Sequence, residues 1–393
     1  MLRNELILLP MLKANRGERG GLVITRKYME GAAEFAKTWP GPVTSLFEVS
    51  PTRTTDLDHI EVTPDEMGTG IEERPGNLDA LADRVRNSAG ALTYLCREEG
   101  PTAKMFHRIG VPLVFTSEYS HRTERQIINA TTANPILRIR RKHWMWNAQR
   151  SCRASLRISA GLQCSGTPTY RQFHNIKPDA LLFFDNRVRT TDVISEVNLE
   201  RKAGVLAAKR PLRLVFGGRL ISMKGVRYLP LVAEALRRRH IPFTMEIYGN
   251  GPLEQKLRND IATRELGGCV MLRGALDFRT GWTAALRDGA DLFVCCHPQG
   301  DPSSTYPEVM SCGVPIVGFG NEAFEGVVDT SGSGFVTPLG DVEALAARIA
   351  QLHSDRNALI EAARVARGFA LENSFEVTFR RRMEHMIACS RLA

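Results

Sequence analysis

No stretch of this chain reaches the roughly 18 consecutive apolar residues that a membrane-crossing helix needs, so no spanning helix is predicted. The eight cysteines, at 96, 152, 164, 269, 295, 296, 312 and 389, form no CxxC pair and no partnered Cys/His spacing. A zinc site and a disulfide framework are both disfavoured by that pattern. Mostly apolar settings point instead to reduced, buried thiols and a reducing compartment. Internal repeats and low-complexity tracts are absent, and residues 137–158 contain no acid at all. No DxD-like pair stands in the second half to hold a divalent ion, so no metal is expected there.

What is present is ordinary for a globular protein: 43% hydrophobic and 24% charged residues. A length of 393 residues is too great for one core and suits two domains of under about 200 residues each. Residues 1–10 carry an acid, Glu5, inside a very short apolar stretch and read as a first strand rather than a signal peptide. A cytoplasmic protein is therefore expected. The net charge of +9 suits an anionic partner if the excess is clustered.

Short apolar runs alternate with helical stretches throughout. In the first half the pattern predicts strands at 6–10, 43–47, 91–96, 111–115, 159–164 and 180–184, with helices at 22–37, 77–86 and 102–109. Gly20 and Gly21 mark a turn before the first helix, and backbone amides at such a turn can hold an anion. Residues 48–76 read as a variable surface connection, with Ser50-Pro-Thr-Arg-Thr-Thr at its start. Beyond Phe115, the ionisable cluster with Glu118 and His121 stands at the carboxyl end of a strand, where sites gather. The alternative reading is a helix start capped by Ser120 or Thr123, with the charges solvated. Residues 187–210 are charged without a sustained apolar period and read as a linker.

The acid-free segment carries Arg138, Arg140, Arg141, Lys142, Arg150, Arg153 and Arg157, with Trp144 and Trp146 among them. As one helix it places all of these basic residues except Arg140 within about half the circumference. Such a face suits an anionic membrane surface, with an indole at the interface. The bland alternative is a solvated basic face. No nucleic-acid-binding motif accompanies the charge, and no nucleic acid is expected as a partner.

The second half restarts the alternation with a strand at 212–216, a turn at Gly217 and Gly218, then Arg219 and Lys224-Gly225 before a helix. A strand at 243–248 leads into Gly249-Asn-Gly251-Pro252, and a further strand into Arg273-Gly-Ala. Next come an apolar run at 291–296, a loop containing Gly300, Asp301, Ser303, Ser304 and Thr305, then Glu308 opening a helix, and a second run at 313–318. Strands alternating with helices in both halves argue an α/β fold with parallel, doubly wound sheets.

Pro307-Glu308-Val-Met-Ser-Cys-Gly313-Val-Pro-Ile-Val, the earlier Gly218-Arg219-Leu with Lys224-Gly225, and Gly249-Asn-Gly251-Pro together resemble glycosyltransferase family 4. These are retaining nucleotide-sugar enzymes of GT-B fold, two Rossmann-like domains facing each other across a cleft. The family pattern is a glutamate, seven residues, then a second glutamate. Here the second is Glu308, while Gly300 stands at the first and Asp301 is the nearest carboxylate.

The resemblance implies an acceptor-side domain at 1–195, a nucleotide-sugar domain at 196–373 and a last helix, 374–393, crossing back onto the first domain. It implies that Arg219 and Lys224 hold the donor diphosphate and that Glu308 accepts the ribose diol. Gly218, Gly249, Gly251, the backbone near Arg273, and Ser303, Ser304 and Thr305 would surround the donor. Asp301 would stand in for the missing glutamate, Glu118 or His121 would approach the reacting sugars, and Gly20 and Gly21 would face a phosphate or the acceptor. No cofactor beyond the donor is implied. The function expected is sugar transfer, with retention, to a lipid-linked saccharide in bacterial polysaccharide assembly, on the cytoplasmic face of the inner membrane. The alternatives are a sugar-nucleotide epimerase of the same fold and a degenerate binding protein.

Overall fold

The computed structural model describes residues 4–52, 58–208 and 210–392. Residues 53–57 of the predicted surface connection lie outside the described residues, as do positions 1–3 of the predicted first strand, Lys209 of the predicted linker and Ala393 of the predicted last helix. The first domain is built on seven parallel strands: Leu6–Leu9, Val43–Phe47, Gly70–Glu73, Gly90–Tyr94, Leu113–Ser117, Gly161–Ser165 and Leu181–Phe183. Numbered in that sequence they lie in the order 7-6-5-4-1-2-3. Six parallel strands build the second: Leu212–Gly217, Phe243–Tyr248, Val270–Gly274, Leu292–Cys295, Ile316–Phe319 and Phe335–Thr337, in the order 3-2-1-4-5-6.

Alternation explains why these runs are strands. Ile7 and Leu9 enter one apolar cluster and Leu6 and Leu8 another, so successive side chains fill the two faces of the sheet. In both sheets the direction of growth reverses between strands 1 and 4. The loops leaving those two strands diverge and open a crevice at the carboxyl edge, the place where such sheets bind ligands.

The last helix, Phe375–Ala388, packs on the first domain. Phe375, Phe379, Met383 and Met386 join its core, and the Phe379 ring lies 4.8 Å from that of Phe35. Arg382 is buried among the rings of Phe35, Phe183 and Phe379, with Nε donating to Gln163 Oε1 at 2.9 Å. Burial pushes its guanidinium down to about 10.

Three local readings are corrected. The turn at Gly20 joins two antiparallel strands, Asn15–Arg16 and Leu22–Thr25, and the helix starts only at Arg26, capped by Thr25. Residues 48–76 hold real elements: the strand His59–Val62 completes the small antiparallel sheet and Gly70–Glu73 forms the edge of the large one. The linker contains the helix Glu196–Ala207, whose narrow stripe of Leu199, Ala203 and Leu206 is buried although charges surround it. Within it Lys202 Nζ donates to the carbonyls of Leu286 at 2.8 Å and Arg287 at 3.2 Å, and burial pushes its pKa down to about 8.

The basic segment is one helix, Pro135–Ile158, with Asn134 capping the amides of Ile136 and Leu137. Its second half packs through Met145, Ala148, Cys152 and Leu156. Its first turns do not: Ile136 is 70% exposed and Ile139 68%.

Candidate functional site

The crevice of the second domain lies between the loop after Gly217 and the loop after Cys295. These loops touch backbone to backbone at Gly225, with φ +65°, where a Cβ would stand 1.8 Å from the Cys296 carbonyl oxygen. Only glycine permits that approach. The contact brings the preceding residue across the gap: Lys224 Nζ lies 2.7 Å from Asp301 Oδ2 and 3.2 Å from Ser303 Oγ. Ser303 Oγ in turn donates to Thr305 Oγ1 at 3.0 Å. Arg219, on the same loop as Lys224, is exposed, and its guanidinium makes no hydrogen bond or ion pair among the described residues.

The helix Thr305–Ser311 begins just beyond, so Glu308 sits one turn inside it rather than opening it; its amide donates to the Ser304 carbonyl at 3.1 Å. Its carboxyl is buried. Arg187 Nε forms an ion pair with Oε1 at 3.4 Å, and both atoms are buried with no hydrogen-bond partner among the described residues. Burial pushes the Glu308 pKa up, against the pull of Arg187 and Lys27. An unsatisfied buried acceptor of this kind fits a ligand that offers hydroxyl donors.

Gly218, Gly249 and Gly251 shape this crevice by packing. The Gly218 amide donates to the Tyr248 carbonyl at 3.1 Å. A Cβ on Gly249 would lie 1.9 Å from the Gly218 carbonyl oxygen, and one on Gly251 2.6 Å from that of Leu220. The Arg273 guanidinium is occupied by Glu246, at 2.6 Å. That side chain is held on the sheet surface, and only the backbone of its turn is left for a ligand.

The crevice of the first domain opens into a cavity of ≈370 Å³ between Leu8–Leu12 on one side and Leu92, Tyr94 and Glu118 on the other. Leu9, Tyr28, Phe35 and Phe379 make it mostly apolar, and Lys27 and Asp185, paired at 2.5 Å, add charge. Tyr94 OH lies 3.4 Å from Glu118 Oε2. Burial pushes the Glu118 carboxyl up, and the carboxylates of Asp301 and Asp185 push it further. Tyr119 is raised by burial and then by Glu118 and Asp301, with Arg219 opposing. Glu118 and Tyr119 of the first domain thus face Asp301 and Arg219 of the second across one polar gap.

Two predicted groups fall elsewhere. His121 donates its amide to Gln172 Oε1 at 2.7 Å, and its ring, lowered by burial, is lowered further by Arg125 and Arg153; it faces the basic side of the domain. At the Gly20–Gly21 turn the amides of Glu18, Arg19 and Gly21 donate to the Glu61 carboxylate at 3.1, 2.6 and 3.2 Å. The anion held there is the protein's own, which corrects the phosphate-loop reading. Lys27, Asp185 and Arg187 were not singled out by the sequence reading. Lys27 lies 158 residues from Asp185 and no local pattern links them; only their places beside strand ends could have marked them.

Residues 199–366 match the family described as Glycosyl transferases group 1. The putative colanic acid biosynthesis glycosyltransferase WcaL of Salmonella typhimurium is 28% identical over 154 residues, 37% of each chain. The amylovoran biosynthesis glycosyltransferase AmsK of Erwinia amylovora is 29% identical over 167 residues, 40% of each. The chain therefore spans well under half the length of these curated relatives. Among solved structures, Anabaena Alr3699/HepE in complex with UDP superposes with a TM-score of 0.63 at 14% identity, covering 98% of this chain and 99% of that one. The lipopolysaccharide outer core galactosyltransferase WaaB, in its apo form, gives 0.66 at 12%, with 98% and 99% covered. At such identities the likeness establishes the fold, the GT-B arrangement of two Rossmann-like domains.

Proposed function

We propose that this chain transfers a sugar from a nucleotide-sugar donor to a saccharide acceptor in bacterial exopolysaccharide synthesis. The observation that carries the reading is the switch-point crevice: Arg219 and Lys224 lie on one lining loop, Lys224 reaches Asp301 on the other, and the helix that follows holds a buried carboxylate, Glu308, with an oxygen that lacks a hydrogen-bond partner. Two cations suit a diphosphate, and the carboxylate suits a ribose diol, which offers two donors about one carboxylate's width apart. The UDP bound to Alr3699/HepE agrees with this, as do the colanic acid and amylovoran for which WcaL and AmsK are named.

In this scheme the bond between the sugar's anomeric carbon and the diphosphate breaks as Lys224 and Arg219 neutralise charge building on the leaving phosphate. The acceptor hydroxyl attacks from the face the diphosphate leaves and passes its proton to the departing phosphate oxygen, so configuration is retained. Glu118 and Asp301 flank the space where the two sugars meet. No side-chain nucleophile is needed, because positioning and phosphate stabilisation carry the step. The donor needs no metal. The apolar cavity at Leu8–Leu12 suits an acceptor with a lipid part, Glu118 binding its polar end.

A lipid-linked acceptor places the enzyme at a bilayer, on the cytoplasmic side where nucleotide sugars are found. The helix Pro135–Ile158 supports this through exposed Ile136, Leu137, Ile139, Trp144 and Trp146 beside Arg140, Arg141 and Arg153. Arg138 is held back by the Thr132 carbonyl, at 2.8 Å. Vesicle binding should need anionic lipid, fall with salt, and drop when Arg141, Lys142 and Arg153 become glutamine. Equal sedimentation of wild type and triple variant would remove the membrane assignment.

A donor-turnover assay over a panel of nucleotide sugars tests the main reading. Nucleoside diphosphate release supports transfer, interconversion without release supports the epimerase, and silence supports a binding protein.

A further inference from the structure

The two domains touch beside Gly300. Its amide donates to Gln126 Oε1 at 3.3 Å, and its carbonyl accepts from Thr123 Oγ1 at 3.1 Å. A Cβ built on Gly300 would lie 2.2 Å from Cγ of Glu322 and 2.9 Å from its Oε1. The room that a side chain at 300 would need is therefore filled by Glu322, from another strand-to-helix junction. Position 300 is where the glutamate pattern of this loop has its first carboxylate and this chain has none.

We propose that Glu322 supplies that carboxylate in space and binds hydroxyls of the donor sugar. Glu322 begins the helix Glu322–Ser331, and the junction is rigid: buried Asn321 accepts from the amides of Ala323 and Phe324 at 3.1 and 3.0 Å and donates to the His297 carbonyl at 3.1 Å. Glu322 Oε1 accepts from Ser120 and from Thr123, the latter at 2.6 Å, which aims the carboxylate from the first domain. Oε2 makes no hydrogen bond among the described residues, and the residue is partly exposed. The neighbour of Gly300, Asp301, touches Lys224, so a diphosphate at Lys224 leaves its sugar within one residue of this corner. A carboxylate oxygen there accepts from sugar hydroxyls as Glu308 would from a ribose.

The inference rests on the nucleotide-sugar reading of the crevice, and the test separates the two. Affinities for UDP, GDP and ADP, and for their glucose, galactose and mannose conjugates, are measured by calorimetry on wild type, E322Q, E322A, G300E and the double variant G300E/E322G, each checked for folding by thermal melting. The expected result is a roughly tenfold or greater loss of affinity for the conjugate in E322Q and E322A, with the parent diphosphate within about twofold of wild type. G300E alone should also lose the conjugate, because its side chain meets Glu322. The double variant should recover most of the affinity, as the carboxylate has moved back into the same space.

If E322Q and E322A weaken diphosphate and conjugate alike, Glu322 is only a strut between domains and the proposal fails. Unchanged affinities, or a double variant no better than the worse single one, overturn it as well. If wild type binds none of these ligands, the donor reading itself falls and takes this proposal with it.

Discussion

Replacing Lys224 by methionine removes one cation while keeping the aliphatic stem that fills the space under Asp301. Two effects follow from the geometry and can be read apart. On catalysis, Lys224 is placed against charge that develops on the leaving diphosphate, and one such preorganised contact is worth about 2–4 kcal/mol in the barrier. At about 1.4 kcal/mol per decade, kcat should fall roughly 30- to 1000-fold. On stability, the ion pair at 2.7 Å has side chains only 11% and 18% exposed, so its loss strands Asp301 in a poorly solvated place. Full burial would make this about 3–5 kcal/mol; partial exposure reduces it to about 1–3. For a domain of this size that lowers Tm by a few degrees to about 10 °C. Adding Asp301→Asn removes the stranded charge, so the double variant should melt close to wild type and remain inactive. Steady-state kinetics and calorimetric melting of the three variants decide the matter. Near-normal turnover in a folded Lys224→Met, or recovery of turnover in the double variant, would refute the assignment of Lys224 to the diphosphate.

Arg219→Ala should lower turnover on a similar scale with Tm unchanged, because the side chain is exposed and makes no contact that the fold needs; a fall in Tm matching the fall in rate would point to a structural role. Glu308→Gln should weaken nucleotide binding and also change the pH dependence of stability. The Glu308 pKa is raised by burial, so this carboxyl favours the fold below its ordinary pKa and loses that advantage as pH rises through the folded value. The variant should therefore gain Tm relative to wild type at neutral pH and little or nothing near pH 4; an equal gain at both would be inconsistent with a titrating group. Turnover should survive chelator, since no group of three His, Cys, Asp or Glu among the described residues is arranged to hold a metal ion; loss with EDTA and rescue by magnesium or manganese would contradict this.

The fold was legible because parallel sheets buried on both faces write themselves as short, continuous apolar runs. Leu292–Cys295 and Ile316–Phe319 are buried at every position, and the sequence shows them as unbroken apolar stretches. Gly70–Glu73 was missed for the converse reason: it is an edge strand, largely exposed, and its Gly-Ile-Glu-Glu carries no run to read. The helix Glu196–Ala207 was hidden because a 12-residue helix that touches its neighbours along one narrow stripe leaves most of its positions exposed, with charges among them. The hairpin at Gly20 shows a third cause. Strand and helix starts both follow a glycine turn, and what decided between them was a pairing with His59–Val62, some 40 residues away.

The site divides along the same line. Residues that act through one loop, such as Arg219, Lys224 and Glu308, follow one another at short spacing, and motif reading finds them. Residues that act by meeting across the gap do not. Lys27 pairs with Asp185, Arg187 faces Glu308, and Ser120 and Thr123 hold Glu322, with between 121 and 202 residues separating each pair. The departure at Gly300 shows why this matters for function. Read along the chain, it is a missing carboxylate, and the nearest replacement is Asp301. In three dimensions Asp301 is already engaged by Lys224, and the empty position is filled by Glu322. A motif that looks broken in one dimension can be completed by any element that shares the crevice, so the loss of the first glutamate is not by itself a reason to read this chain as inactive.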